Sequence, residues 1–448
     1  MTAAKLKSEQ KLPKRYGWNT PVTAPGPKGR TMVTSMRNIM AQPLPYLEAV
    51  RLQFGDVVQF PIPKPATYFV ASPQGARDVL VTKHKQVNKK TIQYSSLSLV
   101  TGEGLLTADG EVWKQRRRIL QPAFHHEMIA LTETEVLRAL TNLHSRWHKT
   151  LNSGEQILDI DQEMMSLALE ITGNTLFGTD LSGEALEITS ATINALHGVV
   201  ARAQNPLALP LKVPTPGNQS MNKAVARLDQ AIARIIKLRA KDRLPSGTPI
   251  RDMLDVLLAA EDESQINPQQ LRDEIATFIV AGHETVASGL TWAIHLLANN
   301  QDEQTALAND PKRSTQVFDE TLRLFPPAWL ITRRTLDPVV VDEIEIPANS
   351  LVILSPWVTH RHESIWEKPN EFNSDRMKNG VPQVGYLPFG AGPRLCIGKD
   401  MALLEGQKVL ADLFSHWKIM PLTTGPVPID ASVTLRPVNG LPMRITNR

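Results

Sequence analysis

Residues 389–398 read Phe389-Gly390-Ala391-Gly392-Pro393-Arg394-Leu395-Cys396-Ile397-Gly398 and hold the chain's single cysteine. Gly390, Gly392, Pro393 and Gly398 make the run a loop, since glycine opens backbone angles closed to other residues and lets backbones approach closely. The next stretch, KDMALLEGQKVLADLF, has helical spacing, so the loop turns into a helix. A cysteine at a helix start meets the positive end of the dipole and free N–H donors, and Arg394 adds a charge beside it; all three favour thiolate. One cysteine permits no intrachain disulfide, no cysteine-rich zinc site and no protein-held iron–sulfur cluster. A reducing compartment fits that count.

Working outward, the chain has 448 residues, of which 42% are hydrophobic and 21% charged, a globular composition with material for a deep core. The net charge of +4 is too small to require a nucleic-acid partner, and none is expected. No apolar run reaches the roughly 18 residues of a membrane span, so no transmembrane anchor is expected. The N-terminus lacks the apolar core of a signal peptide, and the reading is a cytoplasmic protein. Residues 1–24 form a basic tail carrying Lys5, Lys7, Lys11, Lys14 and Arg15. Residues 25–448 read as one mainly helical domain with β-rich parts near 55–72, 339–355 and 418–446. Extended runs are expected at 56–60 and 67–71, and a hairpin at 339–354 around the Pro347-Ala348-Asn349 turn.

Two helices carry chemistry. The first starts at Asn267-Pro268, with Gln270 at capping-box spacing, and runs about 45 Å to Ala298. It contains Ala281-Gly282-His283-Glu284-Thr285, and a threonine in mid-helix can bond back to preceding carbonyls. The second starts at Asp310-Pro311, stops before Pro326-Pro327 and carries Glu320 and Arg323 on one face. Other chemistries drop out. Residues 392–400 fail the spacing of a phosphate loop, and Ala287 and Trp366 stand where a zinc helix needs its second histidine. No GxSxG elbow exists.

The run F-x-x-G-x-R-x-C-x-G resembles the haem-binding signature of the cytochrome P450 family. The resemblance implies the cytochrome P450 fold, mainly α with a smaller β portion, a triangular helical body plus a β subdomain. It further implies haem b (iron protoporphyrin IX) with Cys396 as axial iron ligand, Arg394 on a propionate and Phe389 beside the sulfur. Glu320 and Arg323 resemble the family's E-x-x-R pair, closed by Arg376 in the stretch Pro369 to Arg376, where Ser374 and Met377 replace the usual proline and aromatic. Trp113 and Arg117 resemble the propionate-binding W-x-x-x-R, while Arg116 and Arg118 read as basic helix surface. Arg333 matches another propionate arginine, with Arg334 the adjacent alternative.

Residues 281–285 resemble the family's oxygen-binding groove. Ala281 and Gly282 would leave room above the iron, Thr285 would bond the oxygen, Glu284 would relay protons, and His283 would be a bystander. The implied activity is monooxygenation: O2 gives one atom to a hydrophobic small-molecule substrate such as a terpenoid, steroid or fatty acid. Electrons would come from a separate ferredoxin or flavodoxin with its reductase, docking near Lys114, Arg116, Arg118 and Lys399. Pocket lining is expected from 94–106, Phe278, Ile279, 328–331 and 433–435, under a cover formed by 205–218.

Overall fold

The computed structural model describes residues 15–16, 20–62, 64–181, 185–204, 209–241, 248, 250–423 and 425–448. Most of the basic tail, and residues 205–208 of the expected cover, lie outside the described residues. Two compact units emerge. One gathers the described residues up to Thr91 with Leu330–Pro369 and Pro382–Arg394; the other holds Ile92–Trp329, Asn370–Val381 and Leu395–Arg448.

The first unit is built on a five-stranded sheet in the order Val57–Phe60, Thr67–Val70, Leu351–Leu354, Ile331–Thr335, Val87–Asn88. Only the Thr67–Val70 and Leu351–Leu354 pair is parallel. Every residue of Val57–Phe60 and Thr67–Val70 is buried, as strands covered on both faces must be. Buried Gln59 is satisfied by the Thr23 N–H at 2.9 Å and the Pro21 carbonyl at 2.9 Å.

The hairpin expected over 339–354 is shorter than its sequence suggests. Val339–Val341 pairs antiparallel with Ile344–Ile346 around Asp342 and Glu343, which stand at φ 47° and 66°. Two successive left-handed residues give the twist that a two-residue hairpin needs. Pro347-Ala348-Asn349 instead leads Leu351–Leu354 into the five-stranded sheet.

The second unit is helical. Its long helix, Pro268–Asn299, opens on a complete capping box of Asn267 and Gln270, with proline in its first turn. It packs against helices Ile160–Phe177, Ser314–Leu324 and Lys399–His416. Ser314–Leu324 follows a 3-10 turn at Pro311–Arg313 and ends before Pro326, because proline cannot continue a helix. A three-stranded sheet joins Trp417–Pro421, Pro442–Asn447 and Ile157–Asp159, and a separate hairpin pairs Ile429–Ala431 with Leu435–Pro437. Among the described residues no helix is long and apolar enough to cross a membrane.

Glu320 and Arg323 pair as their spacing suggests, and Arg376 closes the trio as the resemblance implies. Arg323 grips the Glu320 carboxylate with Nε and Nη2 at 2.7 and 2.8 Å, and Arg376 reaches the same carboxylate at 3.3 Å. Ser374 makes polar contacts here. It donates to Glu303 at 2.7 Å and accepts from Arg313 at 3.0 Å, a link proline could not make.

Candidate active site

Cys396 lies in the helical unit, where the loop enters the Lys399–His416 helix after Gly398. Its side chain keeps accessible surface. Burial nevertheless pushes its thiol above the ordinary value, against the pull of the Gly398 N–H and the Arg117 charge. On sequence grounds the dipole and Arg394 carry the weight; in the fold, desolvation outweighs the stabilisation that the thiolate receives.

Arg117 fastens this loop. It donates from Nη1 to the Leu395 carbonyl at 3.0 Å and from Nε to Gln121 at 2.9 Å. One turn earlier on the Gly110–Leu120 helix stands Trp113, and both half-buried side chains line an open cleft shared with Lys114, Arg118 and Gln121. Arg118 is exposed as expected. Arg116 is not: it points inward, buried, with Nε 3.4 Å from the equally buried Glu274. The charge of Arg116 suggests water, but a buried acid far along the chain faces it, so it also leaves the expected docking patch.

Across the unit, the long helix is buried at every position from Asp273 to Ile294 except Ala281, Gly282 and Thr285. These three share one face, being one and four residues apart. Of the expected lining residues on this helix, Ile279 is fully buried and Phe278 stacks on Phe124 at 5.6 Å, so both belong to the core. The Thr285 hydroxyl donates to the Ala281 carbonyl at 2.7 Å. Glu284 is buried on another face, accepts from the Thr434 hydroxyl at 2.7 Å, and has its carboxyl raised chiefly by desolvation. His283 bonds the Ile279 carbonyl through Nδ1, and burial pulls its imidazole down to about 4, so it stays neutral. Thr434 carries no local signal; only the folded hairpin brings it to Glu284.

The β-rich unit holds the other expected residues. Phe389 is half-buried in a turn before Gly390, and Arg394 ends the short 3-10 turn Gly392–Arg394. On the Ile331–Thr335 strand Arg333 faces inward, buried, while Arg334 points outward to Asn349 at 3.3 Å. The strand's alternation therefore separates the two arginines that the sequence left as competitors.

This donor set suits haem: one enclosed but accessible sulfur, a guanidinium fixed beside its loop, and a buried helix that opens only at small residues and a hydroxyl. Such a fold and such residues define a haem–thiolate oxygenase. The family model for cytochrome P450 matches residues 24–442, and the chain belongs to the cytochrome P450 family. It is 31% identical to cyclooctatin synthase of Streptomyces melanosporofaciens, over 85% of this chain and 86% of that one. To pentalenene oxygenase of Streptomyces avermitilis it is 26% identical, over 95% and 97%. The crystal structure of CYP175A1 from Thermus thermophilus superposes with a TM-score of 0.78 at 31% identity, covering 93% of this chain and 98% of that one. The protein is thus an oxidoreductase, a cytochrome P450 monooxygenase whose cofactor is haem b.

Proposed function

We propose that this P450 oxygenates a terpenoid, with Cys396 as axial ligand and with electrons from a separate ferredoxin or flavodoxin and its reductase. One observation carries the assignment of residues: a helix closed along its middle turns opens only at Ala281, Gly282 and Thr285. When bound, haem b supplies the activation of O2, one atom of which enters a C–H or C=C bond while the other leaves as water.

The chain's own residues do the rest. Cys396 offers the sulfur, steadied by the Gly398 N–H and by Arg117 on the preceding carbonyl. Arg117, Arg333, Arg394 and Trp113 supply donors suited to propionates, since a guanidinium fork is bidentate and always charged. Ala281 leaves space, Gly282 stays small where a Cβ would press on Thr172 at 3.1 Å, and Thr285 sets a hydroxyl at that opening. Desolvated Glu284 holds its proton more readily than an exposed acid and can pass it on. Val433 and Leu106, partly buried against the apolar core, keep the surroundings water-poor and suit a hydrocarbon substrate. Relatives named for pentalenene and cyclooctatin support a cyclic terpenoid skeleton. Exposed Lys114 and Arg118 support docking of an acidic electron carrier.

Ferrous–CO difference spectroscopy tests the ligand: the thiolate-type Soret band should vanish in Cys396→Ala, and its survival would refute Cys396. A set of cyclic terpenoids titrated into the ferric protein should produce the spin-state change of water displacement. Spin-state changes with fatty acids and none with terpenoids would refute the substrate class.

A further inference from the structure

We infer that Thr434 positions the Glu284 carboxyl, so that the hairpin of Ile429–Ala431 and Leu435–Pro437 fixes which oxygen of that acid is free to carry a proton. The inference rests on the reading of Glu284 as a proton-holding group in the reaction.

The geometry is specific. Thr434 is buried at the turn of this hairpin, and its hydroxyl donates to Glu284 Oε1 at 2.7 Å. Glu284 Oε2 is buried and has no hydrogen-bond partner among the described residues. One oxygen is therefore tied and the other is left to carry the proton. The neighbouring Thr285 plays no part in this, since its hydroxyl is committed to the Ala281 carbonyl.

The hairpin is rigidly fastened where it matters. Ser288 and Trp292, on the helix that carries Glu284, both donate to the Leu435 carbonyl, at 2.6 and 2.9 Å. The residue after Thr434 is thus pinned to the same helix, and the Thr434 hydroxyl has little freedom to leave Glu284. Each arm is held as well. Asp430 accepts from Ser432 at 2.6 Å and faces His197 at 3.2 Å, while Arg436 pairs with Asp161 at 2.5 Å.

The charges facing Glu284 come from three other elements. Arg436 on the hairpin and His197 on Ala185–Gln204 favour the ionised acid, and Asp161 on Ile160–Phe177 opposes it. None of them forms a hydrogen bond with the carboxyl among the described residues. Among the described residues Thr434 alone supplies a direct donor, and removing it leaves a buried acid whose ionised form has lost its hydrogen bond.

The test uses the haem-loaded full chain and infrared spectroscopy of the protonated-carboxyl C=O stretch, assigned as the band that Glu284→Gln removes. In Thr434→Val the band should shift in frequency and persist to higher pH than in the parent. Thr434→Ser should restore both. Circular dichroism and the CO spectrum should match the parent in both variants, which separates positioning from loss of fold. Electron coupling to product should fall several-fold in Thr434→Val and recover in Thr434→Ser. An unchanged band position and pH midpoint in Thr434→Val would overturn the inference, as would the absence of any Glu284-dependent band. If the band responds as expected but Glu284→Gln leaves coupling intact, positioning stands and the catalytic reading of Glu284 fails.

Discussion

Gly392 stands at φ +70°, and a Cβ there would lie 2.1 Å from the Leu80 carbonyl oxygen. Left-handed backbone and a collision with main chain act together, so Gly392→Ala should destabilise the protein by about 2 kcal/mol or more. Gly398 has an ordinary φ of −90°, and a Cβ there would meet only Phe124, at 3.6 Å. Gly398→Ala should therefore stay within about 0.5 kcal/mol. Urea unfolding of both variants checks the contrast, and equal losses would contradict it. Both glycines were legible as loop formers, but the sequence could not say which one strain requires. The cysteine was legible for a local reason: glycines, Arg394 and Cys396 fall within ten residues. Thr434 was not, because its partner is 150 positions away and only the tertiary fold joins them. Arg116 misled for the same reason, its acid Glu274 being on another helix.

Helix ends were the easiest elements to read, since Asn267, Pro268, Gln270 and Pro326 act on their own neighbours. The hairpin after Thr335 was harder. A proline-containing turn drew the eye, whereas Asp342-Glu343 lacks the glycine that marks left-handed turns. That lack is a correctable strain. Glu343→Gly would create Asp-Gly at φ 47° and 66°, keep Asp342 as the acceptor of the Ser72 hydroxyl, and raise stability by about 0.5–1 kcal/mol. A thermal midpoint unchanged or lowered would count against this. The Glu320 trio gives the opposite expectation. Arg323 and Glu320 are both fully buried, so Arg323→Ala strands a carboxylate and should cost about 3–5 kcal/mol. Arg376 sits nearer the surface, and Arg376→Ala should cost distinctly less, which denaturant midpoints of the two variants would show.

At the scale of the whole chain, composition foretold a deep core but not that acids would be buried in it. Glu405 is enclosed, its Oε1 has no hydrogen-bond partner among the described residues, and burial pushes its carboxyl up to about 8 from 4.5. Glu274 rises to about 7 from the same value, chiefly by desolvation, while His283 falls from 6.5 to about 4. The signs differ. Above 4.5 the unfolded chain gives up the carboxyl protons that the folded state keeps, so both acids make stability fall as pH rises, until each ionises in the fold. Below 6.5 the unfolded chain gains a proton on His283 that the folded state refuses, so this group makes stability fall as pH drops towards about 4. The two limbs oppose each other between 4.5 and 6.5, and above 6.5 the acids act unopposed by His283. Glu405→Gln removes the limb that extends to the higher pH while keeping a polar group of the same shape. The variant should gain on the parent by about 1 kcal/mol for each pH unit between 6.5 and 8. Urea unfolding of parent and variant at about pH 5.5, 6.5, 7.5 and 8.5 measures this directly. Parallel curves across that range would mean that Glu405 ionises in the fold as it does in the unfolded chain.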